Sequence, residues 1–190
     1  MRHMGKALSE MTLKELWELF PIFLTEHREI WNTWYAQERA RLADILPSEG
    51  IRIHHIGSTA IDGIWAKPIV DILMEIPASL PMDGVRALLV QNGYICMSQE
   101  QGRCSLNRGY TSEGFAEKVF HLHLRYAGDC DELYFRDYLN ERPALAKRYE
   151  ALKLSLWKQF EHDRDGYTRA KTDFIVEQTR RAKEQYGNRY

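Results

Sequence analysis

Five short stretches of this chain carry residue types that can do chemistry. Gly57-Ser58 follows directly on Ile51-Arg-Ile-His-His-Ile56, a run rich in β-branched residues. Such a turn offers unhindered backbone N–H groups and a hydroxyl, which can cradle a phosphate, or it can simply end a strand. Asp71 sits inside Ile69-Val-Asp-Ile-Leu-Met-Glu-Ile76, apolar on both sides. A carboxylate there is expensive to bury unless it is paired or bound to a metal. Strand period two puts Leu73 and Glu75 on its side. His121 and His123 flank Leu122 and so share one strand face. Two such imidazoles can bind a metal, can meet a phosphate when protonated, or can be solvated strand residues. Lys67, stiffened by Pro68, stands just before the Asp71 run, either near an anionic ligand or as an exposed lysine. After the Asp165-Gly166 turn, Tyr167 and Lys171 either face a ligand or lie on an exposed helix face.

The elements that must position these groups are legible from periodicity. From Thr12 to about Leu46 the apolar residues recur at helical spacing, and Pro21 splits the run into a short and a longer helix. The longer one ends near Leu46-Pro47, and Ser48-Glu49-Gly50 reads as the turn after it. Strands are expected at Ile51–Ile56 and Ile69–Ile76, then a helix from Met82 to Gln91 closed by Asn92-Gly93. Three more strands follow, over Tyr94–Ser98, Cys104–Tyr110 and Lys118–Tyr126. Helices then span Glu132–Asn140, Pro143–His162 and Thr168–Tyr186, with Pro143 in a first turn and a break at Asp165-Gly166. The expectation is an α+β chain: residues 1–11 as a flexible lead-in, then one domain over 12–190, with about five strands in a mixed sheet flanked by helices.

Composition narrows the function classes. The 190 residues are 44% hydrophobic with 12% aromatic, enough for a substantial core. Lys and Arg number 26 against 27 Asp and Glu, so a global electrostatic grip on nucleic acid or an anionic membrane is not expected. The three cysteines, Cys96, Cys104 and Cys130, lack CxxC spacing, which fits reduced thiols rather than a disulfide framework or structural zinc. No stretch approaches the roughly 20 apolar residues of a membrane helix, and no leader pattern is present. A soluble, cytoplasmic chain is the expectation.

Taken together, His55-Ile-Gly-Ser-Thr-Ala-Ile-Asp-Gly-Ile-Trp-Ala-Lys67-Pro-Ile-Val-Asp71 resembles the GrpB family. Further landmarks occur in order: the helix Trp31 to Leu46, His121-Leu-His123, Phe135-Arg-Asp-Tyr-Leu139 with Pro143, Tyr149-Glu-Ala-Leu-Lys153, and Tyr167 to Ile175. The resemblance covers roughly Phe20 to Lys183. It implies a nucleotidyltransferase-like fold, in which a Gly-Ser turn holds a nucleoside triphosphate and paired carboxylates bind Mg²⁺. Carried over, Gly57, Ser58 and Thr59 match the nucleotide turn, with Lys67 and Lys171 meeting the phosphates. Asp71 matches the first metal carboxylate and, with Ser58, the catalytic position. Position 73 is Leu, so the second carboxylate is missing and Glu75, His121 and His123 are the remaining metal candidates. Such a mixed set with Asp71 suits Zn²⁺, Mn²⁺ or Ni²⁺ better than Mg²⁺. The resemblance thus implies a divergent metal-dependent nucleotidyltransferase or a non-catalytic module binding a nucleotide or other small phosphorylated ligand. Fusion of the family's domain to dephospho-coenzyme A kinase implies a protein partner in nucleotide or coenzyme A metabolism.

Overall fold

The computed structural model of the chain describes residues 7–46 and 49–190. The lead-in over residues 1–6, and the helix end and turn at Pro47 and Ser48, lie outside the described residues. The most apolar run forms the centre. Val70–Ile76 is strand β2, buried at every position except the partly exposed Asp71. It pairs antiparallel with Arg52–Ile56 (β1) and parallel with Gly114–Tyr126 (β5). Arg103–Thr111 (β4) and Ile95–Glu100 (β3) complete a five-strand mixed sheet in the order β1-β2-β5-β4-β3. The α+β mixture expected from the sequence is therefore observed.

Strand alternation decides which helices each face receives. Val70, Ile72, Met74 and Ile76 of β2, with Phe120, Leu122 and Leu124 of β5, bury against Ile30–Ile45 (α2) and Met82–Gln91 (α3). Full burial of one such side chain contributes about 1.5–3 kcal/mol, so this face carries the main core. On the opposite face Ile56 and Leu73 meet Leu133 and Tyr134 of Asp131–Asn140 (α4) and Ala182 of Arg164–Tyr186 (α6). The helix Pro143–Trp157 (α5) joins α4 through Ala146 and Tyr149 against Phe135 and Leu139. Asp71, His121 and His123 belong to this second face, so they lie between the sheet and the α4–α6 layer.

The N-terminal helix Leu13–Leu19 (α1) is capped by Thr12, whose N–H meets the Glu15 carboxylate at 2.6 Å. Pro21 does separate it from α2. Between them the chain is pinned by a two-way bridge of Thr25 to Ala66, with N···O distances of 2.9 and 3.0 Å. That bridge fixes Lys67 at the rim of the second face.

Three boundaries differ by four or more residues from the sequence expectation, for local reasons. α5 stops at Trp157 and α6 starts at Arg164, because Asp163 caps it by accepting the Gly166 N–H at 2.8 Å. Gly166 is thus inside the first turn, where a Cβ would lie 2.3 Å from Asp163 Oδ2. β5 begins at Gly114, since Thr111 closes a tight β4–β5 turn by donating its hydroxyl to the Gly114 carbonyl at 2.8 Å. Among the described residues, no helix is long and apolar enough to cross a membrane.

Candidate functional site

β1 ends at Ile56, which is paired with Asp71, so the next residue must pass over that carboxylate. Gly57 does so at φ +72°, and a Cβ there would lie 2.4 Å from Asp71 Oδ2. Ser58–Ala60 then forms a single 3₁₀ turn. Close approach and positive φ both demand glycine. Gly57→Ala should therefore destabilise the protein by about 1–3 kcal/mol, read as a lower denaturant midpoint with an unchanged slope. An unaltered midpoint would show that the turn is not locked against Asp71.

The parallel β2–β5 register brings the histidines to the same place. His121 pairs with Asp71 and His123 with Leu73. His121 Nδ1 lies 3.4 Å and His123 Nε2 3.6 Å from Asp71 Oδ1. Burial, the largest influence, pushes the Asp71 carboxyl up, but the histidine contacts together outweigh it and hold it below the usual carboxylate range. Burial lowers the His121 pKa against the opposing pull of Asp71, leaving a neutral ring. Its Nε2 is 2.7 Å from the Tyr110 hydroxyl, which accepts from Arg164 Nη1 at 2.7 Å. A proton on Nδ1, facing Asp71, lets Nε2 accept the tyrosine proton and satisfies the whole chain from Arg164 to Asp71.

Cations crowd this carboxylate. Lys67 from the loop before β2, Lys153 from α5 and Arg164 and Lys171 from α6 line one cavity of about 670 Å³ together with Gly57, Ser58, Asp71, His121 and His123. Lys67 Nζ and Lys171 Nζ lie 5.5 and 4.5 Å from the centre of the Tyr167 ring. Lys153 donates to the Trp65 carbonyl and sits 4.9 Å from the Tyr149 ring. Burial, then the charges of Lys171 and Arg164, lowers Lys67 to about 7. Burial, then Lys171, lowers Lys153 to about 7, and burial brings Lys171 to about 8. Burial also lifts the Tyr149 phenol to about 12. The Tyr167 hydroxyl is buried without a hydrogen-bond partner among the described residues. Arg180 and Lys183 line the cavity too, as do Asp131 and Glu132, so six cations against three carboxylates leave an excess of positive charge in a partly enclosed space, the condition under which an anion is held most firmly.

Sequence reasoning named Gly57, Ser58, Lys67, Asp71, His121, His123, Tyr167 and Lys171, and the fold brings all of them to this cavity. Two named residues do not join them. Thr59 does not line the cavity: it is 1% exposed, and its hydroxyl is 2.9 Å from His55 Nε2 and donates to the Ile69 carbonyl at 3.3 Å. Glu75 lies four residues beyond Asp71, about 13 Å along the strand. Its carboxylate is held by Arg52 Nη2 and the Gly128 N–H, both at 3.0 Å, with His54 Nε2 at 3.2 Å. With Leu73 fully buried, only Asp71 supplies a carboxylate on this stretch of β2. The set of paired carboxylates that two magnesium ions require does not fit these residues. Among the described residues, no group of three or more His, Cys, Asp or Glu side chains is placed to hold a metal ion.

Lys153, Arg164, Tyr149 and Tyr110 were not named as site residues from the sequence, although Tyr149 and Lys153 delimit one of its landmark stretches. A signal existed for two of them: Ala146, Tyr149 and Lys153 fall on one buried stripe of α5 at helical spacing. A lysine on such a stripe is either a liability or part of a site.

With the geometry in hand, comparison with known proteins is consistent. A family model described as GrpB protein matches residues 21–181. The glutamate-rich protein GrpB of Alkalihalophilus pseudofirmus is 33% identical over 162 residues, 82% of this chain and 92% of the relative. The crystal structure of the conserved protein GrpB from Enterococcus faecalis superposes with a TM-score of 0.74 at 28% identity, over 86% of this chain and 99% of that one. A GTP-bound structure of the Cid1 poly(U) polymerase matches 75% of this chain and 44% of its own at 12% identity, with a TM-score of 0.44, and at that level says nothing about chemistry. A model match over most of the length, a relative at this identity and a closely similar solved structure place the chain in the GrpB family.

Proposed function

We propose that the cavity binds a small phosphorylated ligand of the nucleoside triphosphate kind. The observation that carries this reading is the convergence of Lys67, Lys153, Arg164 and Lys171 on a cavity whose Gly57-Ser58 turn runs past the Asp71 carboxylate. The turn offers backbone N–H groups to one phosphate, and the ammonium and guanidinium groups neutralise the others. These side chains then supply charge that divalent cations supply in two-metal phosphoryl-transfer sites. Tyr149 and Tyr167 add aromatic walls for the remainder of the ligand. Transfer chemistry through paired metals lacks its second carboxylate on β2, and Asp131 and Glu132 at the cavity wall are ion-paired with Lys183 and Arg125, so ligand binding is the activity these residues support best.

Calorimetric titration of the full chain with a nucleoside triphosphate and with inorganic tripolyphosphate, each in excess chelator, tests this. Binding should persist without divalent metal and survive Asp71→Asn, since that change removes a negative charge facing the anion. Binding only with added metal and abolished by Asp71→Asn would instead restore the metal-dependent transferase. No affinity for any triphosphate in either condition would overturn the reading.

A further inference from the structure

At the far side of the sheet from the cavity, two thiols stand within reach of each other. Cys96 on β3 and Cys104 on β4 have their Sγ atoms 3.7 Å apart. The strands are adjacent and antiparallel, with Cys96 opposite Leu106 and Cys104 opposite Gln99. An irregularity of register between Cys96 and Ser98 draws this diagonal pair together. Cys96 is exposed and Cys104 is 1% exposed, packed in the core under α2 and α3. β3 is an edge strand and all six of its residues are exposed. Its side chains are exposed, its Gln99 donating to Asp83 of α3 at 2.8 Å, so it can move toward β4 with little repacking, and closing the sulfurs to a bond of about 2.05 Å needs a shift of under about 2 Å.

We propose that Cys96 and Cys104 form an oxidative modification site that closes to a cross-strand disulfide on reaction with a low-molecular-weight disulfide such as glutathione disulfide. The Cys96 thiolate attacks one sulfur of glutathione disulfide, forming a mixed disulfide and releasing one glutathione thiolate. The Cys104 thiolate then attacks the Cys96 sulfur, forming the protein disulfide and releasing the second glutathione thiolate. The two protons lost by the cysteines end on the two released thiolates, so two protein thiols are oxidised and one disulfide is reduced. Cys104 is the slower partner. Burial and then the neighbouring Cys96 push its thiol up to about 12. The mixed disulfide on Cys96 should accordingly precede the closed form. Cys130 is buried in the other core cluster with Leu73 and Leu133 and serves as an internal control.

The test is incubation of the native full chain with glutathione disulfide, followed by acid quench, thiol counting under denaturing conditions and peptide mass mapping. The three thiols should fall to one, with a Cys96–Cys104 cross-linked peptide and Cys130 free. Cys96→Ser should keep both of its remaining thiols. Cys104→Ala, or Cys104→Ser if alanine impairs folding, should stop at glutathione on Cys96. Loss of thiols from Cys96→Ser at the wild-type rate would overturn the proposal. So would glutathione held on Cys96 of the wild type without loss of Cys104, disulfide-linked dimers in place of the internal bridge, or no reaction.

Discussion

Lys171→Met should weaken nucleoside triphosphate binding by about 10- to 100-fold while raising the thermal midpoint of the unliganded protein. The first effect follows from removing one charge-assisted contact to phosphate, worth about 1.5–3 kcal/mol. The second follows from what Lys171 faces in the free state. Among the described residues it forms no ion pair, and its ammonium lies 4.5 Å from the Tyr167 ring in a space shared with Lys67. Burial lowers its pKa to about 8, which states that the folded protein holds that charge unwillingly. A methionine of similar shape keeps the packing and removes both the burial cost and the repulsion of Lys67 and Lys153, which together outweigh the attraction of Asp71 that is lost with them. A site that trades stability for charge should show this opposition of effects, and differential scanning calorimetry with a titration on the same sample reads both. A variant that loses both stability and affinity would show Lys171 to be a packing residue.

The affinity should also fall steeply with pH, by about 100-fold or more between pH 7.5 and 9.5. In the free protein Lys67 and Lys153 are lowered to about 7 and Lys171 to about 8. A bound triphosphate favours the charged form of all three, so above those values binding must draw in protons. Each proton taken up costs about tenfold in affinity per pH unit. The terminal phosphate is already ionised in this range, with a second pKa of about 6, and adds no opposing trend. Asp71 is held below the usual carboxylate range and stays an anion, and His121 is lowered and stays neutral, so the lysines dominate the slope. Stability of the unliganded fold should move the other way. The unfolded chain keeps protons on these lysines up to about 10.5, whereas the folded chain has released them, so stability rises as pH climbs from about 7. Below about 7 the full penalty of three charged lysines is present. Titrations at several pH values, with tripolyphosphate as a second ligand, check the slope.

Much of this site could be read from the chain because its parts are strand features. A glycine after a β-branched run, a carboxylate inside an apolar run and two histidines one residue apart each announce themselves through period two. Their convergence could not be read. Asp71 and His121 are neighbours only because β2 and β5 pair in parallel, and the segment between them holds α3, β3 and β4. Local pattern does not specify such a non-local register. The roles of Arg164 and, despite its place on a helical stripe, of Lys153 were hidden for another reason. Both residues sit in helices rich in lysine and arginine, where a residue lining a cavity and a solvated one look alike until the helix is docked. Glu75 was misplaced by the same logic that found Asp71. It shares the strand face, but its carboxylate belongs to Arg52 and His54 at the other end of β2.

Direct titration of the lysine side chains by heteronuclear NMR, with and without tripolyphosphate, bears on the phosphate-binding cluster without relying on any enzymatic assay. If Lys67, Lys153 and Lys171 form the seat of an anion, they titrate near 7, 7 and 8 in the free protein and move toward the ordinary lysine value when the ligand binds. Lysines that titrate normally in the free protein, or that tripolyphosphate leaves unmoved, would contradict it.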